Sequence, residues 1–228
     1  MDEIHVEYTE DRWRLLRTLR DEAEMMMAPL HEAHIEAVVY GSIARGDVRN
    51  DSDIDIWITS PPSPTIVQAV LERRGTRICR REIIQATPSY AAKAYLYTDS
   101  DRGYSLPLVE LRASEAEFYG FAGSLSYPRL KTGARVPGVD KRLMLIEPTE
   151  TGHKESTVQG REGLVASLLG VDIKIVQERV RTLERRGKVG RTGVYIKRVL
   201  ADDEDFGAVF EDLIKSKPAL RRRIRQKR

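Results

Sequence analysis

Residues 39–56 read Val-Tyr-Gly-Ser-Ile-Ala-Arg-Gly-Asp-Val-Arg-Asn-Asp-Ser-Asp-Ile-Asp-Ile. A short β-branched run leads into the Gly41-Ser42 pair, and ten residues separate that pair from Asp53. From Asp53 onward, polar and apolar side chains alternate, which predicts a strand with one buried face. The Asp53 and Asp55 side chains leave such a strand on the same side. The stretch therefore predicts two strands joined by a glycine-containing loop, with a carboxylate pair on the second strand.

The loop and the carboxylate pair are suited to a phosphate-bearing ligand. A glycine turn lets backbone amides and the Ser42 hydroxyl approach an anion, and a helix beginning within residues 42–46 adds a favourable dipole. Two neighbouring carboxylates repel each other unless a cation lies between them. Mg²⁺ suits this place because it binds one or two carboxylates together with phosphate oxygens. Taken alone, the Gly-Ser pair also fits an ordinary turn, and the aspartates also fit an exposed strand.

The pattern around this stretch predicts a mixed α/β domain. Helices are predicted at 9–34, 65–74 and 114–121, and strands at 35–40, 53–59, 77–85, 91–97 and 106–112. Residues 124–138 carry two prolines and two glycines without clear periodicity, which indicates a boundary. We therefore expect a first domain at 1–126, a connecting hairpin region at 127–160 and a third unit at 161–228.

The order Gly41-Ser42, ten residues, Asp53-Ile54-Asp55 resembles the signature of the DNA polymerase β-like nucleotidyltransferase superfamily, most firmly over residues 35–59. The resemblance implies an α+β nucleotidyltransferase fold, with a mixed sheet flanked by helices. It also implies Mg²⁺-dependent transfer of a nucleoside monophosphate from an NTP to an acceptor hydroxyl, with two metal ions. By this match Gly41 and Ser42 hold the triphosphate, Arg45 is a further phosphate contact, and Asp53 and Asp55 hold the metals.

The resemblance further implies a third carboxylate on a neighbouring strand, which binds a metal and activates the attacking hydroxyl. Glu110 is the preferred candidate because the predicted strand 106–112 places it between apolar neighbours. Asp99 and Asp101 are the alternatives, in a predicted turn. The family more often has aspartate at this place, and a strand glutamate paired with Arg112 is the plain structural interpretation.

Charge is divided unevenly along the 228 residues, whose net charge is +3. Residues 1–126 carry 14 Lys and Arg against 21 Asp and Glu (net −7), and residues 127–228 carry 24 against 14 (net +10). The division predicts cation binding in the first half and a polyanionic partner for the second, although chance in an arginine-rich chain also accounts for it. The sequence has no apolar run of membrane-spanning length and no signal-like start, so we expect a cytoplasmic protein.

The second half predicts two helices, at 162–169 and 173–186, that meet at Gly170, followed by a strand at 194–199. This order resembles a winged helix-turn-helix, which predicts a nucleic-acid-binding C-terminal domain with a basic tail. A protein-docking or dimerisation unit is the alternative. The residues expected to contact nucleic acid are Lys174, Gln177, Arg181, Lys188 and Arg191.

The leading hypothesis is thus a Mg²⁺-dependent nucleotidyltransferase, with RNA as one candidate acceptor. One alternative is a non-catalytic, nucleotide-sensing regulator that binds DNA. Another is an enzyme that nucleotidylates a protein or a small molecule. The sequence leaves the choice of NTP, the acceptor and the oligomeric state open, because unrelated substrates are handled by this kind of site.

Overall fold

The computed structural model of the protein describes residues 3–190 and 193–225. The elements in chain order are β1 (Ile4–Glu7), α1 (Glu10–Glu32), β2 (Ala37–Tyr40), α2 (Ser42–Arg45), β3 (Ile54–Ile58), α3 (Pro64–Arg73), β4 (Arg80–Gln85), β5 (Lys93–Tyr97), β6 (Arg102–Pro107), α4 (Ala113–Ala122), β7 (Ser124–Ser126), α5 (Tyr127–Lys131), β8 (Gly138–Val139), β9 (Met144–Pro148), β10 (Gly152–Thr157), α6 (Glu162–Leu169), α7 (Ile173–Val189), β11 (Ile196–Val199), α8 (Phe206–Ser216) and α9 (Pro218–Arg225). Within the two described ranges, no helix is both long and apolar enough to cross a membrane.

A seven-stranded mixed sheet forms the centre, in the order β11-β4-β5-β6-β3-β2-β7. Strands β3 and β6 run parallel, and the other neighbours are antiparallel. The alternation along β3 turns Ile54 and Ile56 into the core, where α1 covers them. The same alternation leaves Asp55 and Trp57 on the opposite face. The predicted mixed α/β architecture, with a mixed sheet flanked by helices, is confirmed.

Helix α4 covers part of that opposite face. The Tyr119 ring stacks on Trp57, with ring centroids 4.3 Å apart and an interplanar angle of 13°. Lys93 of β5 donates from Nζ to the Tyr119 hydroxyl at 2.9 Å. These contacts hold α4 next to the end of β3 that carries the two aspartates.

The predicted hairpin within residues 127–160 forms a second sheet together with the N-terminus. Its four strands have the order β1-β10-β9-β8, and all pairs are antiparallel. Because β1 pairs with β10 over Ile4–Glu7, the hairpin is tied to the start of the chain. Residues 127–160 are therefore more than a connection between two domains.

The C-terminal segment differs from the predicted winged helix. Helices α6 and α7 form as expected and pack against α4 and the second sheet through a buried cluster that includes Phe121 and Val176. The strand predicted at 194–199 forms over 196–199 as β11, and it adds to the edge of the central sheet beside β4. Lys197 reaches the buried Glu82 there at 3.5 Å. Residues 196–199 thus find their hydrogen-bond partners in the first half of the chain, and the winged helix is not confirmed.

Helix α9 also returns to the first half. Arg223 forms a buried ion pair with Glu115 at 2.6 Å and donates to the backbone carbonyls of Ser89 and Glu110 at 3.1 Å each. The described residues after 161 thus contact the rest of the chain in several places, since α6 and α7 pack against α4, β11 joins the central sheet and α9 pairs with Glu115.

Candidate active site

One cleft of about 310 Å³ contains the loop between β2 and β3, together with Asp53 just before β3 and Asp55 within it. Gly41 ends β2 with φ +79°, a conformation that side chains other than glycine rarely adopt, and α2 begins at the next residue. Five residues predicted from the sequence line this cleft together, namely Gly41, Ser42, Arg45, Asp53 and Asp55. The structure therefore brings the loop and the carboxylate pair to one place.

The two aspartates differ in their surroundings. Asp53 is half-exposed, and Lys141 Nζ lies 3.7 Å from its Oδ2. Asp55 is largely buried, and burial together with the nearby charge of Asp53 raises its pKa from 3.8 to about 6, while Lys141 opposes the shift. A divalent cation between the two carboxylates would remove their repulsion, so this pair fits a metal ion.

Aromatic side chains form the inner wall of the cleft. Tyr40 packs edge-to-face on Tyr119, with centroids 4.9 Å apart, and its pKa is raised well above its usual value by burial and by Asp55. Phe118 and Phe121 of α4 also line the cleft. Because this wall is aromatic and largely buried, charges next to it are screened less than charges in solvent.

Arg45 has a structural role in the loop, and its predicted contact with phosphate stays a prediction. Its Nε and Nη2 donate to the two carboxylate oxygens of Asp47, both at 2.9 Å, and its Nη1 donates to the Ala122 carbonyl at 2.6 Å. The side chain is only 6% exposed. Arg45 thereby ties the loop to the end of α4, and its charge at the cleft wall is already paired with Asp47.

Gly41 and Ser42 contribute in different ways. The Gly41 amide donates to the Gly123 carbonyl at 2.9 Å, so this amide is occupied within the sheet and Gly41 serves the turn itself. The Ser42 hydroxyl lies 3.3 Å from the Ser52 hydroxyl, which in turn accepts from the Arg49 amide at 2.9 Å. Ser42 therefore stays at the cleft surface, in a loop that is held at both ends.

The placement of Glu110 was wrong. Strand β6 ends at Pro107, so Glu110 follows the strand and is exposed, instead of lying in its middle. The residue of β6 in register with Asp55 is Gly103. The alternatives Asp99 and Asp101 lie in the turn before β6. Among residues 3–190 and 193–225, no three His, Cys, Asp or Glu side chains are grouped closely enough to hold a metal ion.

Helix α7 presents different residues on its two sides. Four of the residues predicted to contact nucleic acid are exposed, namely Lys174, Gln177, Arg181 and Lys188, while Arg191 lies outside the described residues. On the opposite side of the helix, Arg179 and Leu183 line the cleft. The spacing Val176, Arg179, Val180 and Leu183 follows helical periodicity, and this signal could have placed Arg179 on the inward face.

Sequence reasoning also missed the residues between β8 and β9. Lys141 and Arg142 line the cleft, and Arg142 donates to Asp140 and to Glu155, each at 2.6 Å. Glu155 also contacts the buried His153 at 3.0 Å. A second cavity of about 690 Å³, here called the groove, lies beside the cleft and shares five lining residues with it, namely Asp47, Arg49, Asp51, Asp140 and Arg142.

Comparison with known proteins supports the resemblance over part of the chain. Residues 27–97 match the family model described as Nucleotidyltransferase domain, a range that includes the Gly-Ser turn and both aspartates. No curated protein and no solved structure matches the chain. The resemblance predicted from the sequence is thus confirmed for residues 27–97, consistent with the polymerase β-like superfamily. This match supports nucleotidyl transfer as the general activity. The match ends before β6 and includes no part of the predicted winged helix.

Proposed function

We propose, on the premise that residues 27–97 are a nucleotidyltransferase domain, that the protein transfers a nucleoside monophosphate from an NTP to an acceptor hydroxyl in a Mg²⁺-dependent reaction. The observation that carries this proposal is the meeting of Ser42, Asp53 and Asp55 in one cleft. Carboxylates bind Mg²⁺, and a loop hydroxyl binds phosphate oxygens. The acceptor oxygen attacks the α-phosphorus, the bond to the bridging oxygen breaks, and pyrophosphate leaves.

Asp53 and Asp55 would hold the magnesium. When bound, the ion neutralises phosphate charge and aligns the attacking and leaving oxygens. Asp55 fits this role because its carboxylate is ionised at neutral pH at a buried place that disfavours the charge. A two-ion arrangement has to draw its other ligands from the nucleotide and water, since the described residues offer no third grouped carboxylate.

The groove beside the cleft is our proposed path for the acceptor. It shares Asp47, Asp140 and Arg142 with the cleft and opens toward α1. RNA is our proposed acceptor, supported by the exposed Lys174 and Arg181 of α7 and by the net charge of +10 of the second half. A small molecule or a protein in the same groove is an alternative outcome of the experiment below.

The experiment follows label from each α-³²P-labelled NTP in the presence of Mg²⁺ and total RNA, and it measures pyrophosphate in parallel. We expect label on RNA from the wild type, and none from Asp53→Asn. Asp203→Asn, a change in the exposed turn after β11, is the matched control and should keep full transfer. Label on protein would show that the acceptor is a protein and not RNA. Unchanged transfer by Asp53→Asn would refute the metal-binding role of Asp53.

Within residues 3–190 and 193–225 no third carboxylate is grouped with Asp53 and Asp55, and this observation favours a second candidate, a nucleotide-binding regulator without catalysis. In that case the wild type binds an NTP with Mg²⁺ and yields no pyrophosphate with any acceptor. Equilibrium binding and pyrophosphate release, measured on the same sample, separate the two functions. Binding without release supports the regulator, and release above the Asp53→Asn background supports the enzyme.

A further inference from the structure

Five cationic side chains line the cleft, and four of them face carboxylates. Those four are Arg45 with Asp47, Arg49 with Asp51, Lys141 with Asp53, and Arg142 with Asp140 and Glu155. The fifth is Arg179 of α7. Within the described part of the chain, no carboxylate oxygen lies within 4.0 Å of its guanidinium, so Arg179 differs from the others in lacking an anion.

The surroundings of Arg179 make this lack costly. Burial lowers the pKa of Arg179, and the neighbouring charge of Arg186 lowers it further, with Glu178 opposing. Its Nε is buried and has no hydrogen-bond partner among the described residues. A buried cation is normally paired, because leaving it unpaired destabilises the folded state. An anion bound in the cleft would supply such a partner, because Arg179 lies in the cleft wall.

The position of the guanidinium at the cleft wall suits such an anion. It lies over the Phe118 ring, with 5.0 Å between its central carbon and the ring centroid. A guanidinium beside an aromatic ring keeps its N–H groups as potential donors, because the ring offers it no hydrogen-bond acceptor in the ring plane. Guanidinium edges bind phosphate oxygens with two parallel hydrogen bonds.

We propose that Arg179 binds the triphosphate of the nucleotide, so that a residue of the C-terminal half completes the site formed by residues 27–97. It would supply a cationic phosphate contact whose charge, unlike that of Arg45, is not paired with a carboxylate among the described residues. The identity of the ligand rests on the proposed function, while the anion-binding role rests on Arg179 and Phe118 alone. Helix α7 thereby closes the nucleotide in with one face while its other face stays exposed.

The test is titration of the full-length protein with each of the four ribonucleoside triphosphates and with inorganic tripolyphosphate, in Mg²⁺. We expect Arg179→Gln to weaken binding of the nucleotide and of tripolyphosphate about 10- to 100-fold. Arg179→Lys, which keeps the charge and loses the planar fork, should give an intermediate loss and serves if the glutamine variant fails to fold. Arg185→Gln, exposed on the same helix, is the matched control and should bind like the wild type.

The outcomes separate this inference from the proposed function. Equal binding by wild type and both Arg179 variants overturns the inference and leaves the proposed function standing. Arg179-dependent binding without pyrophosphate release supports the inference while the proposed transfer fails. Absence of binding by the wild type overturns both. A thermal midpoint of Arg179→Gln at or above that of the wild type, without ligand, is also expected, and a fall of more than about 5 °C would indicate a structural role instead.

Discussion

Replacing Asp55 by asparagine should stabilise the protein when no metal is bound. The pKa of Asp55 is raised from 3.8 to about 6, because the carboxyl is buried and Asp53 is close. Keeping Asp55 ionised at pH 7 therefore costs the folded state about 3 kcal/mol relative to the unfolded chain. Asparagine has nearly the same shape and carries no charge, so Asp55→Asn should raise the free energy of unfolding by up to about 3 kcal/mol.

The sign of the pH dependence follows from the raised pKa. The contribution of Asp55 to stability is complete below pH 3.8 and is lost as the pH rises through about 6. The difference between Asp55→Asn and wild type should therefore be greatest above pH 7 and fall below about 1 kcal/mol near pH 4. At pH 7.5 the expected increase in Tm is about 6–12 °C for a chain of this size.

The assay is thermal and urea unfolding in EDTA from pH 4 to pH 8. Asp203→Asn, in the exposed turn after β11, controls for a general change in net charge and should change neither the Tm nor the free energy of unfolding. Saturating Mg²⁺ should then stabilise the wild type and leave Asp55→Asn unchanged, because only the wild type keeps both carboxylates. A variant no more stable than the wild type at pH 7.5, or a difference that does not change with pH, would refute the reasoning.

Three further predictions concern the metal, the buried ion pair between Arg223 of α9 and Glu115, and the exposed face of α7. Asp53→Asn should abolish Mg²⁺-dependent stabilisation in a thermal scan, and an unchanged response to Mg²⁺ would contradict its role as a ligand. Glu115→Gln leaves Arg223 buried without its partner, so urea unfolding should show a loss of about 3–5 kcal/mol; a loss below about 1 kcal/mol would mean that the pair contributes little. Neutralising Lys174 and Arg181 together should lower the slope of log affinity for RNA against log salt by about 1–2 while NTP affinity stays unchanged, and an unchanged slope would exclude this face as the RNA contact.

Local patterns predicted the centre of the site well. The strand, turn and strand around Gly41 and Asp55 depend on alternation and on a single glycine, both of which are visible within 20 or so residues. Glu110 was misplaced because Gly103, typical of a turn, lies inside β6, so the strand begins and ends earlier than its composition indicates. Because β6 ends at Pro107, Glu110 lies beyond the strand on which the third carboxylate was expected.

Long-range pairing limited the rest of the prediction. The sequence at 194–199 indicates a strand, but nothing local shows that its partner is β4, more than 100 residues earlier. The roles of Arg45 and Arg179 were likewise decided by groups distant in sequence, since Arg45 bonds to the Ala122 carbonyl and Arg179 lies over Phe118. Charge counts identify basic segments, and they do not show which cation already has a partner.

The pairing of β11 with β4 has a consequence for biosynthesis. As the chain leaves the ribosome, β4 remains an open sheet edge until residues 196–199 have emerged, and an open edge readily pairs with another chain. A nascent chain paused after α7, or a protein truncated there, would thus expose the unpaired edge of β4 to other chains, although Gly41, Ser42, Asp53 and Asp55 are all present. The domain recognised at residues 27–97 accordingly cannot be transplanted as a minimal module, because its sheet is finished by the last fifth of the protein.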